Sequence, residues 1–239
     1  MNVAIDIGNT RTKIGIYDKE NEIKVFVFDN NAELSLNPII QQYNIQKAIL
    51  SSTIDVPNTL LDVLKTLPLF LILDEQTHLP FINKYDTQNT LGKDRLALIA
   101  AAHAQFPNQN NLVIGCGTCI TFNFINQHHE FLGGSIHPGL KMRLKAMHRF
   151  TGKLPLVELE KEASLFGNNT KSNILSGVLY AACKEIDGMI DDYLVKFSEM
   201  NIILTGGDTN LLVYRLKNQI FVTPNFTLLG LNHILEYNA

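Results

Sequence analysis

Residues 4–17 read AIDIGNTRTKIGIY and residues 113–124 read VIGCGTCITFNF. Allowing one deletion, the two stretches follow one pattern. An apolar run reaches a turn built on Gly and Thr, and a strand of alternating character leaves it. A third strand follows in each case: Glu22–Phe28, with Ile23, Val25 and Val27 on one side, and Glu130–Ile136. Identity between the copies is low, but the pattern is coherent and predicts an internal duplication.

Outward from the first copy, Lys47–Leu50 and Leu69–Leu73 read as buried strands with a helix at Asn58–Leu67 between them. Strand, helix and strand at these lengths extend a sheet in parallel. Asp74–Leu91 is polar, carries Pro80 and reads as a loop, and Asp94–Phe106 is an Ala/Leu helix. Beyond the second copy the periodicity predicts helices at Lys141–Phe150 and Lys171–Lys196. A buried strand at Asn201–Leu204 follows, then helices at Thr209–Leu216 and Leu228–Glu236. No Pro-, Gly- or charge-rich linker separates the halves. The expected architecture is α/β: two related lobes, residues 1–110 and 111–239, packed tightly around a cleft.

Composition narrows the function classes. The chain has 239 residues, 46% of them apolar and 18% charged, values of a globular protein rather than a disordered or fibrous one. Twenty basic against 23 acidic residues leave a net charge of −3. No basic excess marks a nucleic-acid or membrane surface. Three cysteines are too few for a disulfide framework, and Asp6 interrupts the apolar N-terminal stretch, so no signal peptide is expected. Leu96–Ala102 and Leu67–Leu73, the longest apolar runs, fall well short of a membrane span. A cytoplasmic protein is expected.

Five segments carry chemistry. A strand delivers Asp6 to its carboxyl end, where open α/β sheets place ligands. There Gly8 allows close backbone approach, Asn9, Thr10 and Thr12 offer short donors, and Lys13 a charge for a phosphate. Such an aspartate holds Mg²⁺ directly or through water; the same residues also suit an ordinary hairpin turn. Gly115–Cys116–Gly117–Thr118–Cys119 is the matching turn, able to form a second phosphate nest. Its C-x-x-C lacks the partner ligands of a zinc site and flanks a turn into a strand, unlike a redox motif. In Gly92–Lys93–Asp94–Arg95, Asp94 is either a first-turn helix acid or an acid beside a hydroxyl acceptor, with Arg95 forking onto an anion. Gly133–Gly139 (GGSIHPG) interrupts a strand and opens a helix; its His137 is the only histidine placed so suggestively, although a lone loop histidine is more often solvated than catalytic. Gly206 and Gly207 let a base or ribose lie against the backbone.

In this order the segments DIGNTRTK, LGKDR, GTCIT, GGSIHPG, TGKLP, GNNT and ILTGGD resemble the type III pantothenate kinases, of the acetate-and-sugar-kinase, heat-shock-ATPase and actin superfamily. The match runs from Met1 to about Gly207. The resemblance implies two ribonuclease-H-like lobes with mixed sheets flanked by helices, ATP in the cleft, and phosphorylation of the 4′-hydroxyl of pantothenate, the first step of coenzyme A synthesis. It implies Asp6 for Mg²⁺–ATP; Gly8, Asn9, Thr10, Lys13, Gly117 and Thr118 for the phosphates; and Gly206 and Gly207 beside adenosine. Asp94 would be the base, and Tyr85, Gly92 and Arg95 would hold pantothenate. Thr170 would reach the substrate from the partner subunit of a homodimer.

Two positions depart from the family pattern. Gly115 and Asn123 stand where aspartates are usual, and the second of these places supplies a ligand to an activating K⁺ or NH4⁺. Asn123 keeps an oxygen there without the charge. Two other readings share these residues: a kinase of a different hydroxy acid on the same fold, and an accessory transcriptional regulator, against which the acidic balance argues.

Overall fold

A computed structural model describes residues 1–30 and 35–239. The chain divides into two units: residues 1–108 with 125–132 and 225–239, and residues 109–124 with 133–224. Two segments of the expected second lobe, 125–132 and 225–239, pack with the first unit instead.

The first unit begins with β1 (Asn2–Ile7), β2 (Arg11–Asp18) and β3 (Asn21–Asp29), then α1 (Asn37–Tyr43), β4 (Lys47–Ser52), α2 (Asn58–Leu64) and β5 (Leu69–Ile72). Its sheet runs β3-β2-β1-β4-β5. β1 is antiparallel to β2 and parallel to β4, as the tight turn and the crossover require. Side chains alternate across the sheet. Val3, Ile5, Ile7, Ile14, Ile16, Ala48 and Leu50 bury one face against Leu36 and Ile39 at α1 and Leu60 and Leu64 of α2. α3 (Lys93–Gln105) and α7 (Phe226–Tyr237) complete this unit. α7 packs on β1 and β4 and along α3. Four fully buried alanines of α3, Ala97 and Ala100–Ala102, let the helices approach closely. Gly230 lies so near the Ala97 carbonyl that a Cβ there has no room. This contact, rather than sequence position, draws the C-terminus to the first unit.

The loop expected over Asp74–Leu91 contains β6 (Ile82–Asn83) and one 3-10 turn. Ile82 and Asn83 pair in parallel with Glu130 and Phe131. The second unit contains β7 (Asn111–Cys116), β8 (Cys119–Ile125) and most of β9 (Glu130–Pro138), then α4 (Leu140–Phe150), α5 (Thr170–Lys196), β10 (Asn201–Thr205), α6 (Thr209–Leu212) and β11 (Phe221–Val222). Its strands lie in the order β9-β8-β7-β10-β11, the order of the first sheet repeated strand for strand. β9 continues through its glycines rather than breaking at them. At Gly134 the φ of +153° and the adjoining Phe122 carbonyl exclude a side chain. Leu175, Val178, Leu179, Ala182, Ile186 and Ile190 form the helical stripe with which α5 covers this sheet.

Candidate active site

In the first unit β1 carries Asp6 to its carboxyl end. Antiparallel register sets Lys13 opposite Asp6, and parallel register sets Ser51 opposite it on the other side. The face bearing this row is the one away from the α1–α2 core, toward α3 and α7. Asp94 lies in the first turn of α3, where unpaired helix amides favour a carboxylate. The backbone of Gly92, the cap residue of α3, makes space for it: a Cβ there would stand 2.5 Å from Asp94 Oδ1.

Asp6 is raised to about 6, first by burial, then by the Asp94 charge, with Lys13 opposing. A carboxylate at a strand end whose ionisation is opposed by burial and by a second acid is favoured by a cation. One or two carboxylates beside substrate phosphates are the usual holding for Mg²⁺, and these residues fit that ion. Among the described residues no group of three or more His, Cys, Asp or Glu is arranged to hold a metal by itself.

The turn after β1 is tight, the Gly8 amide donating to the Arg11 carbonyl at 3.1 Å. Asn9 and Thr10 are exposed on it. Asn30, which the sequence did not single out, braces this turn. Its Nδ2 donates to the Gly8 carbonyl (2.7 Å), and its Oδ1 accepts from Thr12 Oγ1 (3.0 Å). Its position just past a strand, after Asp29, was the only available signal.

The expected substrate residues of this unit also gather. Tyr85 stacks on Phe131, ring centroids 6.2 Å apart and nearly parallel. The buried Arg95 guanidinium lies 5.5 Å from the Tyr85 centroid and 5.7 Å from that of Phe131. Cation–π packing of this kind fixes a guanidinium plane, one residue after Asp94.

In the second unit the matching turn is held by backbone. Gly117 N donates to Cys119 O (3.0 Å), Gly139 N to Thr118 O (3.1 Å) and Asp208 N to Cys116 O (3.1 Å). Gly117 and Thr118 are exposed on it, and Gly206 and Gly207 follow β10. A Cβ on Gly139 would strike the Gly117 and Thr118 carbonyls, and one on Gly206 the Cys116 backbone. Burial, then Asp208 and Cys183, push the Cys116 thiol up to about 12. A protonated, buried thiol is a poor redox group. Asn123 is fully buried, its Nδ2 donating to Val113 O (3.2 Å) and Thr121 Oγ1 (3.1 Å). Thr170 opens α5, exposed and next to a capping box formed by Asn169 and Ser172.

His137 is not the solvated loop residue expected. Its Nε2 lies 2.7 Å from Ser135 Oγ, its Nδ1 2.9 Å from Glu185 Oε1, and Arg143 holds the same carboxylate at 2.7 Å. Arg143 Nε also donates to Pro138 O (2.8 Å). The network ties α5 to the segment whose Gly139 abuts the Gly117–Thr118 turn. Among the described residues no helix is long and apolar enough to cross a membrane.

A family model for type III pantothenate kinase matches residues 2–192. A type III pantothenate kinase of Bacteroides fragilis (strain YCH46) is 44% identical over 100% of this chain and 98% of its own. That of Christiangramia forsetii is 43% identical over 100% and 99%. Among solved structures, a protein described as a Baf family transcriptional activator from Campylobacter jejuni superposes with a TM-score of 0.62 at 21% identity, covering 99% of this chain and 98% of its own. A ROK hexokinase from Thermus thermophilus gives 0.52 at 12%, with coverage of 99% and 98%. At such identities the structures speak for the fold alone, an actin-like ATPase and sugar-kinase fold. The sequence relatives cover the chain and the family model covers most of it, so the chain belongs to the type III pantothenate kinase family.

Proposed function

We propose that this chain transfers the γ-phosphoryl group of ATP to the 4′-hydroxyl of pantothenate, the entry to coenzyme A synthesis. Beyond family membership, the observation that carries the reading is the placement of Asp6 at the carboxyl end of β1, opposite Lys13 and in the same unit as Asp94 at the start of α3. Asp94 takes the proton of the attacking hydroxyl as the new O–P bond forms and the bond to ADP breaks. Positioning and charge neutralisation supply most of the barrier reduction, since little covalent chemistry is asked of the protein. Mg²⁺ held at Asp6 would neutralise phosphate charge when bound.

Lys13 and the turn Gly8–Asn9–Thr10 serve the phosphates in this reading, as do Gly117 and Thr118, with Gly206 and Gly207 beside the adenosine. Gly92, Arg95 and Tyr85 position pantothenate, the stacked guanidinium of Arg95 being suited to its carboxylate. A second copy of the chain supplies Thr170 to the substrate, so the working form is a homodimer, acting in the cytoplasm. A monovalent cation, K⁺ or NH4⁺, would be held at Asn123 by an amide oxygen without formal charge, which makes for a weak requirement.

The test is ADP release from Mg²⁺–ATP with pantothenate and with a panel of other hydroxy acids, the product being weighed by mass spectrometry. Pantothenate-dependent ADP and a product heavier by one phosphoryl group are expected. Turnover only with another hydroxy acid would move the assignment to that acceptor. No turnover with any would favour a regulatory role.

A further inference from the structure

β4 ends in Ser51 and Ser52 and is followed by Thr53; two of these three hydroxyls have plain partners. Ser52 Oγ donates to Ile54 O (2.6 Å), and Thr53 Oγ1 to Ile7 O (3.3 Å). Ser51 does not: its Oγ is buried without a hydrogen-bond partner, in a residue only 1% exposed. Native proteins seldom leave a buried hydroxyl unpaired, and each exception asks for a reason.

Its place in the sheet supplies one. Ser51 stands opposite Asp6 across the parallel pair, and Lys13 opposite Asp6 across the antiparallel pair. Strand alternation puts all three on the same face, while the β4 neighbours Ala48 and Leu50 turn to the other core. The orphaned hydroxyl therefore sits in the row of groups already assigned to the cation and phosphates.

We propose that Ser51 is an unassigned member of the Asp6 site, its Oγ accepting a hydrogen bond from a water of the hydrated divalent cation held there. This rests on the reading of Asp6 given above. A metal-bound water is a strong donor, and a hydroxyl with no protein partner is free to receive it without losing a structural bond. Ser51 would then help orient the cation that Asp6 binds, without touching the transferred phosphoryl group.

Ser51→Ala tests this by two measurements: calorimetric titration of ATP with Mg²⁺ and in EDTA, and thermal denaturation of the ligand-free protein. The variant should bind Mg²⁺–ATP about three- to tenfold more weakly. Its affinity for metal-free ATP should be unchanged, and its unliganded Tm no lower than that of the parent. A lowered Tm would mean that the hydroxyl has a structural partner, which overturns the proposal. An equal loss with and without Mg²⁺ would assign the hydroxyl to a phosphate oxygen and overturn it as well. Asp6→Asn separates the remaining cases. If it loses Mg²⁺-dependent affinity while Ser51→Ala does not, the Ser51 assignment alone fails. If neither variant loses it, the Asp6 reading fails too.

Discussion

The two units repeat one strand order with different chemistry at the same place. On the first sheet the row beside the turn is Lys13, Asp6 and Ser51. On the second, Gly115 takes the place of Asp6 and pairs with Thr205, and Thr121 takes the place of Lys13. The first turn is braced by a side chain, Asn30, and the second by backbone amides packed against glycines. Duplication thus supplied the same geometry twice, and substitution divided the work. The first row carries an acid and a lysine, while the second has Gly115 and Thr121 in their places and a turn held by backbone amides.

Removing Asp94, the proposed base, should break the contrast most sharply. Asp94→Asn is expected to lower kcat by about 10³-fold or more, with Mg²⁺–ATP affinity within about twofold of the parent. Steady-state kinetics beside calorimetry would show this, and unchanged turnover would end the base assignment. Next come the turn glycines. Gly139→Ala must push the Gly117–Thr118 backbone aside, at a cost of about 1–3 kcal/mol, and should raise the KM for ATP about tenfold. At Gly8 an added Cβ meets only the Arg11 carbonyl at 3.4 Å, so Gly8→Ala should leave the fold's stability within about 1 kcal/mol of the parent. Equal responses would mean that the two turns are not held differently.

Asn30→Ala probes the side-chain brace. It strips the Gly8 carbonyl of its donor and should cost about 1 kcal/mol, with a KM for ATP about threefold higher. The smallest effect concerns acid. His103 Nδ1 lies 3.3 Å from His233 Nε2, and the His129 ring centroid is 4.8 Å from that of His103. Burial, then these two neighbours, lower His103 to about 4, and burial lowers His233 against an opposing pull from Glu20. A depressed imidazole means that the fold prefers the neutral form. Its stabilisation is complete above about pH 6.5 and drains away as pH falls toward 4. Solvent screening keeps the term small; a Tm lower by about 2–4 °C at pH 5 than at pH 7 is expected. His103→Gln should flatten that dependence. Hydrogen exchange should quicken in α3 and α7 before α5, whose unit has no such cluster.

Much of this was legible in the residues. Asp6 and Asp94 announce themselves by their neighbours, Gly8 and the opening of an Ala-rich helix. The long strands and α5 follow from periodicity. α1 was missed because a seven-residue helix opening on Asn37-Pro38 shows no full period. β6 and β11 have two residues each, and only their pairing partners make them strands. His137 looked solitary because Glu185 is 48 positions away in sequence and its role depends on α5 folding back. Asn30 and Ser51 carry no pattern at all; one is known by the carbonyl it holds, the other by the bond it lacks.

Local order along the chain was enough to determine the duplication, the two turns, the candidate acids and the family. The turns and acids depend on spacing within ten or twenty residues, which backbone geometry translates directly into strands and turns, and the duplication and the family on the order in which such segments follow one another. Only the tertiary structure decided that α7 joins the first unit, that Arg95 lies beside the Tyr85 and Phe131 rings, and that Ser51 stands beside Asp6. Each follows from register or close packing between distant segments. There a shift of one residue turns a side chain to the opposite face, and no local pattern records which face was chosen.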